Sequence, residues 1–240
     1  VMTPLDPPVS VLLALWAPVP SSYGLTVVQG RGGPHAVGDA ASPAGTGPVP
    51  LGAWLTALGR LQRCLAVLVS PADPLPGLAA ALDAGQGVLL ETAGNAPGPR
   101  RVLLVPEENG ASTLWHAHEL ASPAPPLDAG HARREIHAAT QEAIEALTEL
   151  DLARGRPELA DELTDLITAN LDPRLLPPSL EPRHRTLLER SLRLGAICDL
   201  ALSDDGAAAS AAQAANRARV LRPLAAVARR GVAAATQWWA

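Results

Sequence analysis

The chain has 240 residues, 48% of them apolar and 18% charged, and a formal net charge of −5. It is too apolar for intrinsic disorder, too poor in cysteine for a disulfide scaffold, and too weakly charged for a protein that coats nucleic acid. All 19 basic residues are arginine, which removes the lysine-dependent chemistries: Schiff bases, a P-loop lysine and the kinase phosphate lysine.

Phenylalanine is absent, and tyrosine and methionine occur once each. G+C-rich codon usage produces such a skew, so arginine in place of lysine says nothing about partners. The apolar run Val9 to Val19 has no basic residue before it and no small-residue cleavage site after it, so it does not read as a secretory signal. It also falls short of the roughly 20 apolar residues that span a bilayer. Cys64 and Cys198 sit in separate apolar segments and read as buried, reduced thiols. The expectation is a soluble cytoplasmic protein.

In chain order, candidate strands are Val9–Trp16, Leu25–Gln29, Leu65–Ser70, Gly87–Glu91, Arg101–Pro106 and Thr113–Glu119. The near-continuous apolar runs Cys64–Val69 and Val102–Val105 suggest strands covered on both faces. Helical spacing of Leu51, Trp54, Leu55, Leu58 and Leu61 predicts a helix from Pro50-Leu51 to Arg63. A second is predicted over Leu75–Ala84, opened by Asp73-Pro74 and stopped by Gly85. Residues 30–50 read as a long Gly, Pro, Ala and Ser loop.

Near residue 122 the pattern changes. Pro123, Pro125 and Pro126 mark a linker over 123–128, since prolines fit neither a helix interior nor a central strand. Four amphipathic helices follow: Ala129 to Arg154, Pro157 to about Asn170, Pro182 to Leu202, and Ala207 to Gln237, the last containing Pro223, which is expected to kink or divide it. The fold class predicted is α+β. A mixed α/β sheet domain over 1–122 is followed by a C-terminal four-helix bundle over 129–240. Within the helical part, residues 127–182 carry 5 Arg against 12 acids (net −7), and residues 183–240 carry 9 Arg against 4 acids (net +5). The two halves attract, which favours docking or orients a partner.

Several constellations compete with blander readings. His116 and His118 in Trp115-His116-Ala117-His118-Glu119 would share one face of a strand, where a metal ion could take a third ligand from elsewhere. The H-E-x-x-H pattern fails because Ser122 stands where its second histidine belongs. A histidine-bearing solvent face is the alternative. Gly30-Arg31-Gly32-Gly33 reads as a turn rather than a phosphate loop, since no helix follows it. Ser203-Asp204-Asp205-Gly206 reads as a helix cap rather than a Mg²⁺ site. Glu107-Glu108-Asn109-Gly110 reads as a hairpin tip. His131 and His137 are expected at the surface.

Arg217, Arg219, Arg222, Arg229 and Arg230, with Arg183, Arg185, Arg190 and Arg193, could meet phosphates or form ion pairs with the acidic helices. The net charge favours the ion pairs. Trp238 and Trp239 would cap the bundle or bury at a dimer contact. No G-x-S-x-G, C-x-x-C, Walker or dinucleotide-binding string occurs.

The resulting expectation is a non-catalytic protein-interaction or self-association module. It would need no cofactor, have another protein or a second copy as partner, and touch neither nucleic acid nor membrane. Arg217, Arg222, Arg229, Arg230, Trp238 and Trp239 are its candidate contact residues. The alternatives are a metal-assisted hydrolase or transferase using His116 and His118, and a nucleic-acid binder using the arginine-rich helices.

Overall fold

The computed structural model describes residues 4–30, 33–39, 47–93, 99–150, 157–203 and 211–240. In chain order, the first half forms β1 (Pro4–Leu5), α1 (Val9–Trp16), α2 (Ser22–Gln29), β2 (His35–Gly38), β3 (Val49–Pro50) and α3 (Leu51–Leu58). It continues with β4 (Leu61–Leu68), β5 (Gln86–Thr92), β6 (Arg101–Asn109) and β7 (Ser112–Glu119). The second half forms α4 (Ala129–Leu150), α5 (Pro157–Thr168), β8 (Asn170–Leu171), α6 (Pro182–Ser203), α7 (Ala211–Thr236) and β9 (Trp238–Trp239). The protein is mixed α+β, with seven α-helices and a seven-stranded sheet among the described residues.

Two compact units interleave along the chain. The sheet unit comprises Pro7–Leu127, Arg174–Leu180 and Thr236–Ala240; the helical unit comprises Val1–Asp6, Asp128–Pro173 and Glu181–Ala235. A division at residues 123–128 alone misses this exchange of end segments. The cause is local pairing: β1 lies parallel beside β8, and β9 antiparallel beside β4.

The sheet runs β3-β2-β7-β6-β5-β4-β9. β4 through β7 form an antiparallel meander, and β2 joins parallel to β7. The β6–β7 turn is Gly110-Ala111, at the end of the expected Glu107–Gly110 tip, whose two glutamates are still paired in the ladder: Asn109 pairs with Ser112, and Gly110 adopts φ 63°, the left-handed conformation that glycine adopts without strain. Cys64 to Val67 and Val102 to Val105 are buried at every position, as a strand covered on both faces requires.

Two candidate strands prove to be helices. Val9–Trp16 is α1, buried at Ser10 through Trp16. A helix apolar all round has no amphipathic period, so a short run of this kind cannot be told from a buried strand by pattern. Its Leu, Ala and Trp content, with β-branching only at Val9 and Val11, was the available signal. α2 replaces the strand at Leu25–Gln29. Ser21 caps it by accepting the Gly24 N–H (3.0 Å), and Gly30 ends it at φ 53°. A Cβ on Gly24 would stand 2.5 Å from the Trp16 ring, so only glycine lets α2 lie this close.

The helix predicted over Leu75–Ala84 shrinks to a 3₁₀ turn at Ala79–Ala81, because Pro76 and the left-handed Gly77 (φ 78°) interrupt it. The helix predicted to reach Arg63 ends at Leu58, before Gly59 at φ 90°, and leaves Leu61–Arg63 to β4. Gly30-Arg31-Gly32-Gly33 therefore follows a helix rather than a strand, and its residues 31–32 lie outside the described residues.

The helical unit bears out the helix positions. α4 buries Ala132, Ile136, Ala139, Ala143 and Ala146, a repeat of three and four that marks one seam. α6 buries Leu187, Leu188, Ser191, Leu194, Cys198 and Ala201. Gly231 of α7 brings three helices together: a Cβ there would lie 2.2 Å from Ser191 Oγ and 2.8 Å from Ile136 Cδ1. α7 runs unbroken through Pro223, whose ring lies on the exposed side. Water can then satisfy the Arg219 carbonyl that proline leaves without a donor.

Candidate functional site

Arg63 interrupts the apolar sequence of β4, and its side chain is 1% exposed. A buried guanidinium needs several acceptors, and Arg63 has them. Its Nη1 donates to Glu91 Oε1 (3.3 Å) and to the Ala124 carbonyl; its Nη2 donates to the Pro125 carbonyl (2.7 Å) and to Gln237 Oε1 (2.8 Å). The guanidinium carbon lies 4.6 Å from the centre of the Trp239 ring.

Gln237 returns the grip. Its Oε1 accepts the Leu127 N–H (3.1 Å) and its Nε2 donates to the Leu127 carbonyl (2.8 Å). Trp238 pairs with Cys64 and Trp239 with Arg63, and Ala240 N–H donates to the Gln62 carbonyl (3.0 Å). Trp238 and Trp239 are thus an edge strand of the sheet, a position neither predicted role anticipated. Trp239 remains 49% exposed.

His116 and His118 do share a face of β7, on its more open side. His116 Nε2 lies 2.6 Å from Glu107 Oε2 across the β6–β7 ladder, and both side chains are solvent-accessible. Among the described residues, no three or more His, Cys, Asp or Glu side chains are grouped so as to hold a metal ion. His131 and His137 are exposed, as expected.

A second polar cluster lies at the ends of β2 and β7. Asp39 accepts Trp54 Nε1–H (2.8 Å) and both terminal nitrogens of Arg100 (3.2 Å each to Oδ2), while Arg100 also pairs with Glu119. Burial opposes the charged form of Arg100, but Glu119 and Asp39 outweigh it and raise the pKa. Nearby, Trp115 Nε1–H donates to Nδ1 of the buried His35 (3.2 Å). That bond fixes the proton of neutral His35 on Nε2, and burial holds its pKa below the usual histidine value. Sequence reading passed over Arg63, Asp39 and His35. A lone arginine inside a buried strand was the one legible signal.

The four arginines singled out on the last helix separate. Arg217 is buried at 4% exposure, with no hydrogen-bond partner for Nη1. Arg230 reaches Glu135 of α4 (3.4 Å), Arg229 lies near Asp199, and Arg222 is exposed. The Asp204-Asp205-Gly206 cap lies outside the described residues. Both thiols are buried, and burial raises both pKa values, Cys198 to about 12. Neither is a ready nucleophile in this state.

The fold and these groupings define a mixed α+β protein in which no described helix is long and apolar enough to cross a membrane. Residues 130–233, nearly the whole helical stretch, match a family described as Rv1486c-like protein, C-terminal domain. No curated protein and no solved structure matches the chain.

Proposed function

We propose that this is a non-catalytic cytoplasmic protein that works by association, with its four C-terminal helices packed as a bundle whose outer faces bind a second copy of the chain. The observation that carries the reading is the exposure of two large apolar side chains on otherwise charged helices: Ile144 of α4 (55%) and Ile167 of α5 (60%). A single exposed isoleucine is ordinary. Here the acidic stretch 127–182 and the basic stretch 183–240 add charge complementarity between copies, which sets orientation.

The polar groupings support the same reading. The terminal nitrogens of Arg63 and of Arg100 in the Asp39 cluster donate to protein acceptors, and α7 places Arg230 on an acid rather than leaving it for phosphate. Light scattering on the eluting protein over a range of concentrations tests the proposal. A mass that rises with concentration for the native chain, and stays monomeric for Ile144→Glu with Ile167→Glu, is the expected result. A native chain that stays monomeric throughout overturns it.

A further inference from the structure

Asn109-Gly110, where β6 turns into β7, is the one Asn-Gly pair in the sequence. Such a pair suits a tight hairpin, and it also carries a chemistry of its own. The carbonyl carbon of an asparagine side chain is an electrophile, and the backbone nitrogen of the next residue closes a five-membered ring on it. Ring closure needs that nitrogen unshielded and free of hydrogen bonds, and the side-chain amide untethered.

The described asparagines divide sharply on these terms. Asn170 Nδ2 donates to the Thr168 carbonyl (2.9 Å), and the next nitrogen, that of Leu171, donates to Glu189 Oε1 (3.0 Å) beneath a bulky side chain. Asn216 lies inside α7, where the following N–H is held by the helix, and its Oδ1 accepts from Arg219 Nη2 (2.8 Å). Asn109 differs on every count. It is exposed, and its side-chain amide has no hydrogen-bond partner among the described residues. The Gly110 N–H makes no backbone hydrogen bond among them either, as befits the first central residue of a two-residue turn. A Cβ on Gly110 would meet nothing within 4 Å, so the nitrogen stands open to water.

We propose that Asn109 is a site of spontaneous, age-dependent modification, converted through a cyclic imide to aspartate and isoaspartate. The Gly110 nitrogen bonds to the Asn109 side-chain carbonyl carbon, and the bond from that carbon to the amide nitrogen breaks. The proton given up by Gly110 leaves with the departing ammonia. Water then opens the ring at one carbonyl or the other. The net change is ammonia out and water in, with water as the only co-reactant. Opening on one side leaves aspartate in an unaltered backbone. Opening on the other routes the main chain through the former side chain and lengthens it by one carbon.

Both products extend the acidic run Glu107-Glu108 by one charge. Isoaspartate does more, because this turn is wedged. The Ala111 carbonyl lies where a Cβ on Gly33 would approach to 2.0 Å, and the Thr113 N–H donates to the Pro34 carbonyl (3.3 Å) beside the His35–Thr113 pair. A lengthened chain at 109 cannot keep both the Asn109–Ser112 pair and that fit, so the start of β2 loosens. The inference goes beyond the association read from the helices and uses none of their residues.

The test incubates the full chain, folded and separately unfolded in urea, in mildly alkaline buffer, and follows each asparagine by peptide mass mapping. Methylation by an isoaspartyl methyltransferase reports the isoaspartate. Expected in the folded chain is conversion at Asn109, faster at higher pH, while Asn170 and Asn216 remain amides; Asn109→Gln abolishes the methylation. Asn109 that stays an amide in the folded chain while the unfolded chain converts it overturns the proposal. So does conversion of Asn170 or Asn216 as fast as Asn109, since the turn would then select nothing. In the separated isoaspartate form, the Thr113 amide should exchange about tenfold faster than in the native chain. Unchanged exchange there overturns the coupling to β2.

Discussion

Arg63 and Trp239 face one another across the β4–β9 pair, guanidinium over indole at 4.6 Å, and the same guanidinium also holds Glu91, Ala124, Pro125 and Gln237. Removing it strands a nearly buried carboxylate and three other acceptors at once. Arg63→Met is expected to cost about 3–5 kcal/mol of folding stability, the range for breaking a buried pair from one side. Arg63→Lys recovers less than half, because an ammonium cannot serve acceptors on two sides of a planar fork. Urea unfolding curves measure both, and near-native stability of Arg63→Met would remove Arg63 from its central place.

Gly231 is where α4, α6 and α7 meet, with no room for a Cβ beside Ser191 Oγ and Ile136. Gly231→Ala is expected to destabilise by about 1–3 kcal/mol despite its better helix propensity. Ser191→Gly should restore part of the loss in a double-mutant cycle, since the two sites share the contact. Additive effects would place the clash elsewhere.

His35 gives a pH dependence of known sign. Its folded pKa is depressed by burial, so the neutral ring is the folded form and accepts from Trp115 on Nδ1. The stability it contributes is full above the unfolded histidine pKa of about 6.5. It is lost progressively as pH falls below that value toward the depressed folded pKa. Thermal unfolding at several values between pH 7.5 and pH 5, about the window set by that reference pKa, should show a fall in the native chain. His35→Asn, which keeps an acceptor without titrating, should flatten it. Parallel curves for the two would rule His35 out as the cause.

Asp39 anchors the second cluster with a side chain 3% exposed. Asp39→Ala leaves the buried Trp54 N–H without its acceptor and Arg100 with Glu119 alone, and should cost about 3 kcal/mol. Asp39→Asn keeps an acceptor for Trp54 and should cost about 1–2 kcal/mol. Equal losses would mean that the charge on Arg100, rather than the buried indole donor, sets the energetics of this corner.

Much of the architecture was legible. The apolar stripes of α4 and α6, the strands β4 through β7 and the turn at Gly110 all follow from periodicity and turn chemistry, which act over a few neighbouring residues. α1 was misread because full burial erases the period that distinguishes helix from strand. β2 was missed because four residues, His35–Gly38, carry too little pattern to stand out. Of the candidate site, His116 and His118 on one face came from the two-residue repeat of a strand, and Arg63 was visible only as an oddity.

The sequence by itself determined where most helices and central strands lie, because hydrophobic spacing and chain-breaking residues are local properties of the polypeptide. Only the tertiary structure decided that Trp238 and Trp239 close a sheet edge, that Arg63 fastens four segments, and that His35 meets Trp115. Those facts depend on residues 28 to 176 positions apart in the chain being brought within a few ångströms. No local signal encodes such a meeting, since which distant groups satisfy a buried charge or an open strand edge is settled by how the whole chain packs.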